Sequence, residues 1–220
     1  MRRSFLALLV CLPALLAGCA AGNIAPQFAF GDKPATGVVV VSVGHNASAG
    51  PGARANVYFD TSRRPGLNRL QSTGESVTEG PAPTRFDDNS QLLVLSVPAG
   101  AHTLDAWQLR DSVGVWVQPA GVLKPLEFNV VAGEVKYLGN LSATLATRRN
   151  ALGLQVVEGG EVEVKDLRER DVAAFERAYP QFKGQVVMGV LPVGRWAAPE
   201  GVEITQASST APPTLPGARR

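Results

Sequence analysis

Two histidines, His45 and His102, are the side chains of this chain that can exchange a proton near neutral pH. A nucleophilic hydrolase would need one of them held by a carboxylate and placed beside a serine or cysteine. His45 lies in a loop-like stretch, residues 44–48, and His102 opens an apolar run after a Pro-Ala-Gly turn. Asp105 comes three residues after His102, so on a strand the two side chains face opposite sides. The spacing predicts no local His/Asp pair, and we expect each histidine to be structural or solvent-facing.

Two groups of acidic side chains are the next candidates for chemistry. The Asp-Asp-Asn run at residues 87–89 offers oxygen ligands for calcium. It lacks the alternating acids and the closing glutamate of an EF-hand loop, so a turn with side-chain caps is favoured. Glu158, Glu161 and Glu163 could suggest the paired acids of a glycosidase, but no apolar surroundings are predicted that would keep one of them protonated. We interpret them as charges that solubilise and protect an exposed strand edge beside a hairpin.

Trp116 is the residue that most suggests a ligand. It shares the strand parity of Gln118 and not that of Val115 and Val117, so its ring is predicted on the outward face. An exposed indole could stack on a glycan or on a protein partner. The alternative is that the ring packs beneath the long segment 61–90 or beneath a helix.

Residues 1–18 have the composition of a secretory leader. Met1-Arg2-Arg3 is positively charged, and residues 5–16 form an apolar stretch too short to remain as a membrane-spanning helix. The stretch closes on Leu16-Ala17-Gly18-Cys19, which resembles the lipobox of bacterial lipoproteins. The resemblance implies that residues 1–18 are removed and that Cys19 then carries a diacylglyceryl group on its sulfur and a further acyl chain on its amine. Two or three acyl chains make an effectively permanent membrane anchor.

Ala20 follows the cysteine at the position where aspartate often signals retention in the inner membrane. By the same analogy the protein is expected at the outer membrane, facing the periplasm or the cell surface. Cys11 leaves with the leader and Cys19 is occupied by lipid, so no thiol remains for a disulfide, a metal or catalysis. We therefore expect no metal, no cofactor and no enzymatic centre.

Loss of the leader also changes the charge balance. Removing Arg2 and Arg3 leaves 19 basic side chains against 19 acidic ones. Nucleic-acid binding depends on a clustered positive field, and the arginine pairs of this chain are scattered. Nucleic acid is therefore excluded as a partner.

Both ends of the mature chain are predicted to lie outside the folded domain. Residues 19–36 contain scattered glycines and prolines, which indicates a flexible tether to the membrane. Residues 196–220 are rich in proline, serine and threonine, which predicts a disordered tail. The domain is expected to span residues 37–195.

Hydrophobic side chains of this domain alternate with period two, as in strands. Residues 38–43 form a β-branched, apolar run interrupted only by Ser42, typical of a strand covered on both faces. Residues 126–130 and 134–145 alternate on either side of an Ala-Gly turn and are predicted to form a hairpin. A second, tight hairpin is predicted at Glu158-Gly159-Gly160-Glu161. Roughly eight or nine short strands favour an antiparallel β-sandwich.

One helix is predicted at about residues 167–179. Asp166 and Glu169 have the spacing of a capping box, and Pro180 ends the segment. Val172, Phe175 and Tyr179 fall on one helical face, so the helix should pack on the sandwich.

The strand, glycine turn and strand units at residues 97–104 and 130–139 resemble those of transthyretin-like and carboxypeptidase-regulatory-like domains. A helix that ends at Tyr179-Pro180 is similar to the segment that comes after such a sandwich in several bacterial envelope lipoproteins. The resemblance covers residues 36–180 and implies a prealbumin-like or Ig-like sandwich with one C-terminal helix. It implies no catalytic residues.

These observations predict a lipid-anchored envelope protein that is not an enzyme and that serves in protein interaction or assembly, with an envelope protein as partner. A second hypothesis is a module that binds glycan or peptidoglycan through Trp116 and neighbouring loops. A third is a hydrolase whose site is assembled from distant loops.

Overall fold

The computed structural model describes residues 23–50, 52–60, 69–72, 84–196 and 202–206, the last of these by backbone alone. The predicted leader, Cys19 and most of the predicted tail lie outside the described residues. The described part contains two β-sheets and one α-helix, which confirms a mostly β architecture. The main hydrophobic core holds side chains from both sheets.

The first sheet has seven strands in the order β12-β10-β9-β1-β5-β4, with β11 also beside β9. Their bounds are β1 Thr36–His45, β4 Thr84–Arg85, β5 Ser90–Pro98, β9 Val135–Arg149, β10 Gln155–Lys165, β11 Val186–Met188 and β12 Gly194–Trp196. The second sheet has six strands in the order β13-β7-β6-β2-β3, with β8 also beside β6. Their bounds are β2 Arg54–Phe59, β3 Arg69–Gln71, β6 Gly100–Arg110, β7 Val115–Pro119, β8 Leu126–Val130 and β13 Val202–Gln206.

The first sheet is mixed, because β9 runs parallel to both β1 and β11. The prediction of a purely antiparallel sandwich is wrong on this point. Central strand β1 is covered on both faces, as its apolar run predicts. Val39, Val41 and Val43 enter the core between the sheets. Val38 and Val40 enter a second core beneath the helix.

Helix α1, Arg168–Ala178, covers the outer face of the first sheet. Phe175 and Tyr179 are buried there with Val172 partly buried beside them, which confirms the predicted apolar face. The predicted capping box does not form. The N-cap residue of the helix is Leu167, and no side chain makes a capping hydrogen bond there. Asp166 is occupied instead by the guanidinium and the backbone N–H of Arg168.

The hairpin predicted between β8 and β9 is wrong. Strand β8 pairs with β6 in the second sheet, whereas β9 pairs with β1 and β10 in the first. The turn does exist, with Gly133 at a φ of +78°. It carries the chain from the second sheet to the first. The prediction fails because alternation shows which face of a strand is buried but not which strand lies beside it.

The hairpin predicted at Gly159-Gly160 is wrong as well. Strand β10 runs unbroken through both glycines, with an irregularity in its pairing to β9 between Val157 and Gly159. A Cβ on Gly160 would lie 2.6 Å from Leu109 Cδ1 of the facing sheet. Gly160 is therefore needed for close packing of the two sheets, and the chain reverses earlier, around Asn150.

The predicted boundaries of the domain also need correction. Residues from Asn23 onward are part of the fold, because Ile24 and Phe28 are buried against the helix. The tether prediction is thus wrong for residues 23–36, where apolar side chains lie between the glycines and prolines. At the other end Trp196 is buried in the main core, and residues 202–206 form a strand beside β7, so the tail prediction is wrong for these residues.

Candidate functional site

Trp116 lies on β7 with its side chain on the outer face of the second sheet. Its neighbour Val117 is fully buried in the core on the opposite face, in agreement with the predicted parity. Trp116 is half-buried, and the guanidinium carbon of Arg110 lies 5.8 Å from its ring centroid. Since α1 covers the other sheet, the helix does not cover this ring.

Beside Trp116, the same face carries a row of buried polar groups. The Tyr58 hydroxyl donates to Gln108 Oε1 at 2.8 Å, and Gln108 Nε2 donates to Gln118 Oε1 at 2.8 Å. Burial raises the pKa of Tyr58, so its hydroxyl keeps the proton that it donates. These three groups bind one another, which leaves Trp116 and Arg110 as the more accessible members of the face.

His102 does form a pair with an aspartate, although a distant one. Its Nδ1 lies 2.6 Å from Asp60 Oδ2, and its Nε2 lies 2.8 Å from the Pro98 carbonyl. The ring stacks on Phe128, and Asp60 also accepts the backbone N–H of Thr103. Because both ring nitrogens already bind acceptors, neither is available to activate a nucleophile. The pair ties β2 to β6, and its separation of 42 residues hides it from local sequence patterns.

His45 is also buried and structural. Its Nδ1 lies 2.9 Å from Ser72 Oγ, which accepts the backbone N–H of Ala55. Burial lowers the pKa of His45 and so favours the neutral ring. The two histidines thus lie at separate places and have different partners. The His45–Ser72 pair is buried, and the hydrogen bonds of the His102 ring go to Asp60 and the Pro98 carbonyl.

Asp171 on α1 has a fully buried carboxylate that accepts hydrogen bonds from several side chains. Its Oδ2 accepts hydrogen bonds from Ser42 Oγ at 2.5 Å and from Tyr137 Oη at 2.9 Å. Its Oδ1 accepts from Arg170 Nε at 2.8 Å. Burial, together with the Asp171 charge, raises the pKa of Tyr137, so the phenol remains a donor. Each carboxylate oxygen is therefore satisfied by a side chain.

Arg170 extends this network to the surface. Its guanidinium binds Asp88 Oδ2 at 2.6 Å and lies over the Phe86 ring, 4.0 Å from the centroid. Although burial opposes it, hydrogen bonds from Ser90 and the Arg170 charge lower the pKa of Asp88. Asp88 also accepts the backbone N–H of Ser90, which confirms the predicted turn with a side-chain cap.

The network joins α1, β1, β9 and the 87–89 turn, and this is its evident role. Ser42 Oγ, which donates to Asp171, also accepts from Asn140 Nδ2 at 2.7 Å. Ser42 and Asp171 are both wholly inaccessible to solvent. A substrate has no route to this serine, so the arrangement resembles a catalytic site in composition only. Sequence reasoning missed it because Asp171 occurs among ordinary charged helix residues.

The acidic side chains of β10 are engaged in ion pairs. Glu161 binds Arg195 at 2.8 Å, and Glu163 lies 3.4 Å from Lys165 Nζ. Glu158 binds Arg148. The predicted exposed edge is wrong for Glu163, because β12 pairs with this part of β10.

An extended arm projects beyond the sheet where β9 and β10 outrun their neighbours. We define the arm as residues 146–157. Strand β1 pairs with β9 only as far as Ala143, and β12 pairs with β10 only from Val162 onward. Three residue pairs connect the two sides of the arm, from Thr147 opposite Val157 out to Arg149 opposite Gln155. Val157, at the base of the arm, packs against the main core. Beyond Val157 the arm is held by its own ladder.

The tip of the arm presents two apolar side chains to solvent. Leu152 is 82% exposed and Leu154 is 60% exposed. Asn150 Oδ1 accepts the backbone N–H groups of both leucines at 3.0 Å, and Arg149 donates to the Gly153 carbonyl. These bonds fix the turn, so the leucines are presented on a preformed structure.

Within the described ranges, no three His, Cys, Asp or Glu side chains converge to hold a metal ion. No helix in that part of the chain is long and apolar enough to cross a bilayer. In comparisons with known proteins, neither a family model nor a curated protein matches this chain.

Proposed function

We propose that this protein is a lipid-anchored protein of the bacterial outer membrane that acts, without catalysis, as an interaction or assembly module. Cys19 is the proposed lipid-bearing residue. The body is proposed to be a β-sandwich of the prealbumin or Ig-like class, which two sheets around a shared core support.

The arm is the observation that carries the interaction role. Exposed apolar side chains that cluster on a preformed structure mark contact sites, because burying them on a partner is favourable and costs little ordering. Leu152 and Leu154 satisfy both conditions. By contrast, the buried acids and histidines described above serve the fold.

The partner is proposed to be an envelope protein with an apolar recess and an acidic rim. The recess would receive Leu152 and Leu154. The rim would face Arg148 and Arg149, which are exposed on the same arm. Glu158 faces Arg148 within this chain, so Arg149 is the stronger candidate for a contact across the interface.

Site-specific crosslinking in intact cells tests this proposal. A photo-reactive residue at Leu152 is expected to yield one discrete adduct with a single envelope protein, and Leu154→Ser should reduce it. The same probe at Val193, which is 66% exposed outside the arm, is the matched control and should yield no such adduct. Equal adducts from both positions, or none from Leu152, would contradict the proposal.

A glycan-binding module is the second candidate, and Trp116 favours it. An accessible indole beside a guanidinium is suited to stacking on a sugar ring and to hydrogen bonding with its hydroxyls. Under this alternative, Trp116→Ala abolishes sedimentation of the protein with purified peptidoglycan, whereas Leu154→Ser leaves it unchanged. Under the interaction proposal, neither variant changes sedimentation, and only Leu154→Ser weakens the crosslink formed by a photo-reactive residue at Leu152.

A further inference from the structure

The described part of the fold lies very close in sequence to the proposed lipid attachment residue. Asn23 and Ile24 lie along the outer side of β5, where they replace a continuation of β4. Asn23 Oδ1 accepts the backbone N–H of Val94 at 2.8 Å, and the N–H of Ile24 donates to the Val94 carbonyl at 2.8 Å. Both residues are buried.

Further contacts hold this segment against the body. The Tyr179 hydroxyl donates to the Ile24 carbonyl at 2.9 Å, and Gln181 Nε2 donates to the Pro26 carbonyl at 2.6 Å. Ile24 and Phe28 also belong to the core beneath the helix. Asn23 is therefore a fixed point of the domain.

Chain length then limits how far the anchor can lie from this point. Four residue steps separate Cys19 from Asn23, and a fully extended chain spans at most about 14 Å over four steps. A flexible tether of the predicted length, residues 19–36, would have allowed several times that separation. The short connection does not.

We infer that the edge of the first sheet formed by β4 and β5 faces the bilayer that holds the Cys19 acyl chains, with the domain seated directly on that surface. This inference rests on the proposed lipid anchor. We therefore propose that this edge contacts the lipid headgroups, because the chain between Cys19 and Asn23 is too short to hold the domain away from them.

The same geometry places the opposite edge of the sheet away from the bilayer. Arg85 on β4 lies opposite Gln91 on β5, and the row of paired residues continues from there across β1, β9 and β10. It reaches β12 at Gly194, the residue next to Arg195. Five strand spacings separate the two outermost strands, or about 24 Å. Both arginines are exposed, so they form a matched pair of positions for measuring height above the membrane.

The experiment uses the full lipidated protein reconstituted in phosphatidylethanolamine and phosphatidylglycerol vesicles. Single cysteines at Arg85→Cys and Arg195→Cys accept a thiol-reactive fluorophore, since an acylated Cys19 does not react. A nitroxide quencher on the lipid headgroups is expected to quench the Arg85 position at least three-fold more strongly than the Arg195 position. Insertion of about 20 Gly and Ser residues before Asn23 should remove this difference while the protein stays on the vesicles.

Equal quenching at both positions, or stronger quenching at Arg195, would overturn the inference. A persistent difference after the insertion would show that the short connection is not its cause and would overturn it as well. Failure of the lipid anchor itself gives a separate result, because the protein then does not associate with the vesicles and its mass lacks acyl chains.

Discussion

The Ser42 hydroxyl on β1 donates to Oδ2 of Asp171 on α1 across 2.5 Å, and solvent reaches neither residue. This bond fastens the helix to the central strand of the first sheet. Removing the carboxylate would also leave Tyr137 and Arg170 without their buried acceptor. Breaking a buried charged network by removing one member typically costs about 3–5 kcal/mol. We expect Asp171→Ala to lower the free energy of unfolding by that amount.

Urea unfolding of the purified protein, followed by far-UV circular dichroism, measures this loss. The matched control is Asp166→Ala, which removes an aspartate that binds Arg168 at the exposed start of the same helix. This control should change stability little, because exposed ion pairs contribute little. Equal effects of the two substitutions would show that the buried network is not what holds α1.

The buried His45 predicts a loss of stability in mild acid. The unfolded chain takes up a proton at this residue as the pH falls past the ordinary value of 6.5, but burial lowers the pKa of the folded ring. Between these two values the unfolded state binds more protons, so the free energy of unfolding falls as the pH falls. Above pH 6.5 this contribution is constant.

Urea unfolding at several pH values between 5 and 8 tests this. His45→Gln removes the titrating ring and keeps an oxygen that can accept a hydrogen bond from Ser72, so its stability should fall less steeply below pH 6.5. Parallel curves for the two proteins across the whole range would rule out His45 as the source.

A side chain at position 160 is expected to disturb the packing between the two sheets, whereas a side chain at position 121 is not. A Cβ at this position would lie 2.6 Å from Leu109 Cδ1 and 3.2 Å from Val117 Cγ1, both buried. Overpacking of a core costs about 1–3 kcal/mol, and we expect Gly160→Ala to be destabilised in this range. A Cβ on Gly121 would meet nothing within 4 Å, so Gly121→Ala is the control. If both variants unfold at the same urea concentration, close approach of the sheets does not explain Gly160.

The tip leucines of the arm are predicted to be dispensable for folding. Leu152 and Leu154 contribute little to either core, so the double substitution to serine should change the free energy of unfolding by no more than about 0.5 kcal/mol. Thermal and urea unfolding test this directly. A larger loss would mean that these two leucines pack on the body and serve the fold instead of a contact with a partner.

Sequence patterns predicted the elements of this fold better than their pairing. The alternation at residues 134–145 correctly indicated a strand, and the spacing of Phe175 and Tyr179 correctly indicated one buried helical face. Strand partners were mispredicted because an apolar face looks the same whichever strand lies beside it. The sequence wrongly predicts Gly160 in a turn, because glycine occurs both where φ is positive and where two backbones or side chains approach closely.

For the candidate site as well, the sequence predicts local features but not contacts between residues far apart in the chain. The outward face of Trp116 can be derived from strand parity, which is a local property. The pairing of His102 with Asp60 joins residues far apart in the chain, and so does that of Ser42 with Asp171. Local sequence does not predict the arm, because its exposure depends on where the neighbouring strands β1 and β12 end.

Mass spectrometry of the intact protein extracted from the membrane fraction tests the central proposal most directly. The account predicts a chain that begins at Cys19 and carries the mass of a diacylglyceryl group and one further acyl chain. It also predicts that Cys19→Ala prevents both the modification and membrane retention. An unmodified Cys19 in membrane-bound protein, or a mature chain that begins at another residue, would contradict it.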